Sequence, residues 1–350
     1  MTKIFQIVDA TFSSSNKHSI DEINLSIERK GDIISLLGPS GVGKTTILRT
    51  IAGLEKLKKG EIWLNDKLLS SESYNVTPEN RNISLAFQNN CLFPHLNLRE
   101  NILIGIKKKY NEKEVNKLIE KFYLNTIIHK YPHEVSSGEA QRAALIRSIV
   151  SEPELLLLDE PFSNLNKGLR EELQELLKTI LKKKKMTSII VTHDYDEAFY
   201  FSDMCGVLIK NKLIQYSSPY QAYHHPNSTE VANFFNKGEF VNATVLSNDK
   251  LKHKTLGIIK GKFEQNFKKG TTVKLLLQPE DLEHSDRSDL KFQIVDKRFS
   301  GTNFIYTLTI SANERAPILV HSHHSHNHRI GDEFGIKTPI YIKHLVCFKK

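Results

Sequence analysis

Hydrophobic positions in the first two-thirds of the chain follow two alternating patterns. Short, mainly apolar runs at Ile33–Leu37, Ile83–Phe87, Leu155–Leu158 and Ser188–Thr192 have the length and character of strands buried on both faces. Between them lie stretches with helical spacing. Glu112–Leu124 places Val115, Leu118, Ile119 and Phe122 on one face. Leu169–Leu181 carries Leu169, Leu173, Leu176, Leu177, Ile180 and Leu181 at i, i+4, i+7, i+8, i+11 and i+12, and Thr45–Leu54 also reads as a helix. Strands alternating with helices predict an α/β domain with a largely parallel core sheet. The pattern changes after about Phe235. From Phe240 onward the alternation is strand-like, at Val273–Leu277, Phe292–Val295 and Phe304–Ile310, with turn residues at Lys269-Gly270 and Ile330-Gly331-Asp332. The expectation is two domains: residues 1–235, α/β, and residues 236–350, an all-β small barrel. Asn236-Lys237-Gly238-Glu239 is the expected hinge.

Composition narrows the class. A chain of 350 residues suits two domains, and 39% hydrophobic with 25% charged residues is a globular balance. No apolar stretch approaches the roughly 20 residues a membrane span needs. The start, Met1-Thr2-Lys3-Ile4-Phe5-Gln6, lacks the apolar centre of a signal peptide, so a cytosolic location is expected. Cys91, Cys205 and Cys347 are scattered, show no metal spacing and fit a reducing compartment. The formal charge of +9 raises the question of a polyanionic partner. Much of the excess lies in the runs Lys107–Lys109 and Lys182–Lys185. The second run closes an amphipathic helix, where cations favour the negative end of the dipole, so nucleic acid is not expected as a partner.

The chemistry begins at Gly38-Pro39-Ser40-Gly41-Val42-Gly43-Lys44-Thr45-Thr46, which has the spacing G-x-x-x-x-G-K-T between an apolar strand and a helix. Glycines let such a loop turn its backbone N–H groups inward around phosphate oxygens. Lys44 can reach the outer phosphates and the Thr45 hydroxyl can ligate Mg²⁺. The phosphates would sit at a helix N-terminus. Downstream, Leu155–Leu158 deliver Asp159 and Glu160 to a strand end. Asp159 is placed to hold Mg²⁺ through water, and Glu160 to orient or deprotonate an attacking water. ATP and Mg²⁺ are therefore the expected ligands, with nucleotide hydrolysis as the reaction.

Three further segments resemble the ATP-binding subunits of ABC transporters, in that family's order. Val135-Ser136-Ser137-Gly138-Glu139-Ala140-Gln141-Arg142 is similar to the signature usually written Leu-Ser-Gly-Gly-Gln. Ala86-Phe87-Gln88, followed by Leu92-Phe93-Pro94-His95, resembles the Q-loop segment, and Val191-Thr192-His193-Asp194 the H-switch. The resemblance covers essentially the whole chain. It implies a P-loop ATPase domain with a helical signature subdomain, followed by an OB-like barrel of the TOBE type. It also implies roles: Gln88 senses Mg²⁺ and the attacking water, His193 contacts the γ-phosphate, and Phe12 stacks on adenine. Ser136, Ser137, Gly138 and Glu139 would bind the ATP held by a second copy, in a head-to-tail sandwich homodimer.

The sequence departs from the family at Ser137 for glycine, Glu139 for glutamine, and Asn166 where aspartate is usual. Gln278-Pro279-Glu280-Asp281-Leu282 resembles the Arg-Pro-Glu-Asp element of β-domains in bacterial importer ATPases, with a different first residue. The resemblance therefore implies two separate transmembrane permease subunits and a periplasmic or lipoprotein solute-binding protein. The chain itself would sit peripherally on the cytoplasmic face of the bacterial inner membrane. Gly301–Leu308 and Val320–His324 resemble the C-terminal domains of ferric-iron-type importers, so ferric iron is the expected cargo, with polyamine or another small solute as the alternative. A soluble ATPase acting on nucleic acid is the rival of a different class, supported only by the basic balance. His321, His323, His324, His326 and His328 form a tract that reads either as a divalent-metal site acting as a sensor or as a polar loop between strands.

Overall fold

The structure is a computed structural model, and it describes residues 3–13, 19–89, 91–106, 111–235, 238–263, 265–309 and 318–349. The Lys107–Lys109 run and part of the expected hinge, Asn236-Lys237, lie outside the described residues.

The chain opens with the antiparallel strands β1 (Phe5–Ser13) and β2 (Ser19–Ile27), then the fully buried β3 (Ile33–Leu37) and helix α1 (Lys44–Ile51). A second antiparallel pair follows, β4 (Leu57–Leu64) and β5 (Lys67–Ser70), then the short β6 (Ile83–Ala86). Three helices, α2 (Leu98–Leu103), α3 (Glu112–Lys121) and α4 (Ser137–Val150), lead to the fully buried β7 (Leu155–Asp159). The unit continues through α5 (Lys167–Lys184), β8 (Ser188–Thr192), α6 (Tyr195–Phe201), β9 (Met204–Ile209) and β10 (Lys212–Ser217).

The ten strands form one sheet, in the order β5-β4-β1-β2-β10-β9-β3-β8-β7-β6. Its centre, β9-β3-β8-β7-β6, is parallel throughout, as continuous apolar runs require. The antiparallel flank through β1, β2, β4 and β5 instead shows the alternating burial of strands with one wet face. One apolar core lies among α2–α5 and one side of β7, and a second joins the flank, α1 and the other side of the central strands.

All three predicted helices shift at their ends. The one expected over Glu112–Leu124 closes at Lys121, with Phe122 as its C-cap. The helix after the glycine-rich loop stops at Ile51, short of Leu54, because Gly53 takes φ 85° and its N–H and that of Leu54 return to Thr50 and Arg49. The helix predicted over Leu169–Leu181 runs longer, from an Asn166 cap to Lys185 in the left-handed region. In its basic run, Lys182 pairs with Asp203, and Lys184 with Glu114 and Glu152. These lysines are part of the unit's own surface ion pairs, consistent with the helix-terminus reading.

A second compact unit comprises Tyr220–Lys350, following Met1–Pro219. The division falls earlier than residue 235 because helices α7 (Pro219–His224) and α8 (Thr229–Phe235) precede the β-strands within it, and Tyr223 donates its hydroxyl to Glu280. Strands β11 (Glu239–Ser247), β12 (Lys250–His253), β13 (Gly257–Phe263) and β14 (Thr272–Leu277) pair with the later β19 (Ile340–Leu345) and β20 (Cys347–Lys349). A four-stranded sheet is built from β15 (Lys291–Phe299), β16 (Asn303–Thr309), β17 (Ile318–His323) and β18 (Glu333–Gly335). One core fills the space between the sheets, and among the described residues no helix lies beyond Phe235. Ile310, the expected end of the third strand, lies outside the described residues.

The first unit hides one residue that the hydrophobic pattern does not foretell. Arg81 is 1% exposed and donates to the carbonyls of Thr50, Ile51, Leu69 and Val76, to the Ser70 hydroxyl and to the Asn75 side chain. Burial lowers its pKa to about 10, so it stays charged at neutral pH. Two of its acceptors are the last carbonyls of α1, where a cation meets the negative end of the helix dipole. The guanidinium thus fastens the helix behind the glycine-rich loop to the β5 turn. Arg81→Met removes these hydrogen bonds and leaves buried acceptors such as the Ile51 carbonyl short of a donor, and is expected to lower unfolding stability by about 3–5 kcal/mol, read as a fall in urea midpoint at unchanged m-value.

Candidate active site

Parallel pairing brings the C-terminal ends of β3, β8 and β7 to one edge. Leu37 pairs with Thr192, and Val191 with Asp159, so the segments that follow all emerge together. From β3 comes the loop Gly38–Thr46. Gly38 is buried at its base, and Pro39, Ser40 and Gly41 are exposed at its rim. Gly43 caps α1 at φ 98°, where an added Cβ would meet Ile20 at 2.2 Å, so the loop closes onto the helix only with glycine there. Thr46 continues α1, and its carbonyl accepts from Thr50.

Lys44 is 5% exposed and folds back across its own loop, donating to the carbonyls of Gly38 at 2.7 Å and Pro39 at 3.0 Å. Burial pushes its pKa down, and the nearby Glu160 and Asp159 oppose that. Thr45 Oγ1 donates to Asp159 Oδ1 at 3.1 Å. Asp159 is itself buried, and desolvation raises its pKa against the Thr45 hydrogen bond. A hydroxyl and a carboxylate oxygen beside a buried ammonium form a hard-oxygen donor set that fits Mg²⁺.

Glu160 follows the strand in the left-handed region, φ 47°, its N–H held by the Val191 carbonyl at 2.9 Å. The turn directs its carboxylate between two predicted partners. Gln88 Nε2 donates to Glu160 Oε2 at 3.2 Å, and His193 Nδ1 lies 3.1 Å from Oε1. Four of the predicted residues, Asp159, Glu160, Gln88 and His193, therefore come from three strand ends to one place.

Phe12 is a correction. It is fully buried on β1, paired with Ile20 and Leu57 inside the core of the antiparallel flank, and offers no face to adenine. A break in register between Ile7 and Ala10, with Asp9 at φ 44°, resets the alternation, so that Ala10 and Phe12 face inward like Phe5 and Ile7.

The signature residues start another helix. Ser136 caps α4 in a closed capping box: its N–H and Oγ donate to Glu139 Oε2 at 2.7 and 2.8 Å, and Glu139 N–H donates to Ser136 Oγ. Those hydrogen bonds hold the Glu139 carboxyl below its usual pKa, so a full negative charge stands at this helix start. Ser136 and Ser137 are exposed and Gly138 is buried, where a Cβ would lie 3.1 Å from the Asn164 carbonyl. Asn166, the third departure, caps α5 by accepting from Leu169 N–H, a task aspartate performs equally well.

Two residues outside the predicted set tie the site together. Gln141, one turn into α4, donates to the Glu160 carbonyl at 3.1 Å and accepts from Asn164 N–H at 3.3 Å. It joins the signature helix to the turn carrying Glu160. Glu197, in α6, is 7% exposed; Oε2 accepts from Thr192 at 3.2 Å and Oε1 is buried without a hydrogen-bond partner. Its carboxyl is pushed up to about 7, by burial first and the Asp194 charge second. Gln141 stands within the quoted signature segment, whereas Glu197 had no sequence signal beyond lying four residues after His193.

Glu197 sets a pH dependence. Its folded pKa exceeds the ordinary 4.5, so the native state holds the proton more tightly than the unfolded chain. The resulting stability is fully present below about pH 4.5 and is lost as pH rises through about 7. Glu197→Gln should remove that slope: relative to the variant, the native chain is expected to lose about 3 kcal/mol between pH 4.5 and 7.5, measured by urea unfolding at each pH.

The ABC transporter family profile matches residues 20–163, from β2 through the Glu160 turn. A spermidine/putrescine import ATP-binding protein of Borreliella afzelii is 35% identical over 309 residues, covering 85% of this chain and 86% of its own. An Fe(3+) ions import ATP-binding protein of Haemophilus influenzae is 37% identical, but over only 65% of each chain. Among solved structures, cbiO1 of Clostridium perfringens, part of the ABC transporter complex cbiONQ, superposes with a TM-score of 0.54 at 26% identity, covering 63% of this chain and 90% of its own. A dimeric cassette bound to ADP and Pi shares the fold, with a TM-score of 0.53 at 23% identity over 61% of this chain and 98% of its own. The chain belongs to the ABC transporter family and, within it, to the import ATP-binding proteins.

Proposed function

We propose that the chain is the ATP-hydrolysing subunit of a bacterial ABC importer, energising uptake through separate permease subunits, with ferric iron as cargo. The observation that carries the ATPase reading is the Glu160 carboxylate, held by Gln88 on one side and His193 on the other, beside Lys44, Thr45 and Asp159. The loop Gly38–Thr46 cradles the phosphates, and Lys44 exchanges its carbonyl partners for phosphate oxygens. Thr45 and Asp159 would hold Mg²⁺, which neutralises phosphate charge when bound. Glu160 accepts the proton of the attacking water, while Gln88 orients that water and His193 supports the γ-phosphate.

A second copy is part of this proposal. The exposed Ser136–Ser137 face at the start of α4 is a second anion-suited helix start, surplus to one chain and useful across a head-to-tail pair. Glu139 works against it by placing negative charge where a polyphosphate would arrive. No helix among the described residues is long and apolar enough to cross a membrane, which supports separate permease subunits. On this reading the chain works from the cytoplasmic face of the inner membrane, with a periplasmic or lipoprotein solute-binding protein delivering cargo.

Relatives named for Fe(3+) import support iron. Polyamine is the second reading, favoured because a relative named for spermidine/putrescine import matches 91% of this chain, including most of the β unit. Labelled-solute uptake in cells lacking the gene decides between them. Loss of ferric iron uptake with spermidine uptake intact supports iron; the reverse assigns polyamine.

Purified protein should hydrolyse ATP with Mg²⁺. Glu160→Gln should lower kcat by about 10²-fold or more while ATP binding persists, and Lys44→Ala should lose binding, both checked by phosphate release and nucleotide titration. Glu139→Gln keeps the capping box but removes its charge, and should raise turnover. No Mg²⁺-dependent hydrolysis, or activity untouched by Glu160→Gln, overturns the ATPase reading.

A further inference from the structure

We propose that His284, His326 and His328 form a divalent-metal site in the β unit. Among the described residues, they are the group whose potential ligand atoms converge, all within 4.8 Å of one another. The sequence pointed to a contiguous tract, His321–His328. The structure divides that tract and completes it from elsewhere. His326 and His328 stay together, and the third imidazole comes from His284, 44 positions before His328. The other tract members are engaged differently: His323 Nδ1 lies 2.9 Å from Ser325 Oγ and His324 Nδ1 lies 3.1 Å from the Thr302 carbonyl. His321 is in β17, paired with Ile305.

The site is held from behind. His284 bridges to Ile336 across an antiparallel pair, and its Nδ1 lies 3.1 Å from the Gly335 carbonyl. A carbonyl only accepts, so Nδ1 carries the proton and the lone pair of the neutral ring is on Nε2. A backbone carbonyl behind a ring is how metal-binding histidines are commonly oriented. Tyr306, fully buried, donates its hydroxyl to the His326 carbonyl at 2.7 Å and accepts from His328 N–H at 3.0 Å, which fixes the backbone of both ligands. The buried Phe334 ring lies against His284 and His328, giving an apolar wall.

Electrostatics of the front face asks for a cation. His284 Nε2 stands 3.3 Å from His328 Nε2 and 3.0 Å from Asp286 Oδ1. With Nδ1 committed, a neutral His284 turns a lone pair toward an acceptor-only carboxylate. A metal ion bound by Nε2 removes that opposition, with Asp286 or water beside the three imidazoles. Three nitrogen donors and an open position suit borderline ions, Zn²⁺ foremost and Fe²⁺, Ni²⁺ or Cu²⁺ as competitors. His326 is exposed, which gives an ion a way in. The proposal does not rest on the transport reading.

The test uses full-length protein stripped with chelator and titrated calorimetrically with Zn²⁺ in excess Mg²⁺, which occupies oxygen-donor sites without competing for imidazole. One Zn²⁺ per chain is expected, with Co²⁺ giving visible absorption of an imidazole-rich site. His326→Ala, an exposed change that spares the fold, and His328→Ala should each abolish stoichiometric binding. His323→Ala with His324→Ala should leave it intact, and Asp286→Asn should weaken it about tenfold. Competition by Fe²⁺ then distinguishes an iron site from a zinc site. No stoichiometric Zn²⁺ binding overturns the proposal. So does binding lost with His323 and His324 but kept without His326.

Discussion

Hydrogen bonding between β3, β8 and β7 places Leu37, Thr192 and Asp159 near one another at a common edge. The glycine-rich loop, the acid pair and His193 depend on that pairing, and Gln88 on the further pairing of β6 with β7. A parallel sheet buried on both faces cannot slip in register without moving its apolar runs, so the ends are fixed as firmly as the core. The loop after β3, the acid pair after β7 and the histidine after β8 then meet without any one of them needing a long connection. Glu160 converts this alignment into chemistry, because its left-handed turn swings the carboxylate sideways toward Gln88 and His193. Ligands gather at the carboxyl ends of strands in open α/β sheets for this reason.

Much of this was legible from contiguous residues. Apolar runs marked the central strands, and a glycine-rich loop between strand and helix declared its phosphate chemistry before any partner was known. The change from helical to alternating spacing near Phe235 signalled the β unit. What escaped was built from residues far apart in sequence. Arg81 reads as an ordinary loop arginine until the carbonyls of α1 and the β5 turn surround it. Glu197 looks like one more acid in the first turn of a helix, where acids are common, yet it is buried against Thr192. His284 stands alone in the sequence and meets two other imidazoles only through the pairing of Ile336 with its own backbone.

Phe12 went the other way. An aromatic near a strand end suits either a ligand face or a core, and position along the chain alone does not separate them. Alternation from Phe5 and Ile7 would turn Phe12 outward; the break in register at Asp9 turns Ala10 and Phe12 inward instead. The division between the units was also displaced, because α7 and α8 have helical character like the first unit but precede the strands of the second. Composition reports what an element is; only its contacts report what it belongs to.

The bond from Gln141 to the Glu160 carbonyl has a wider reach than its length. On the proposed assembly, Glu160 acts on the nucleotide of its own chain, whereas Ser136 serves the nucleotide of the neighbour. Gln141 makes these two ends of a single lever. In a head-to-tail pair, that hydrogen bond would tie the turn carrying the carboxylate of one pocket to the helix start that faces the other.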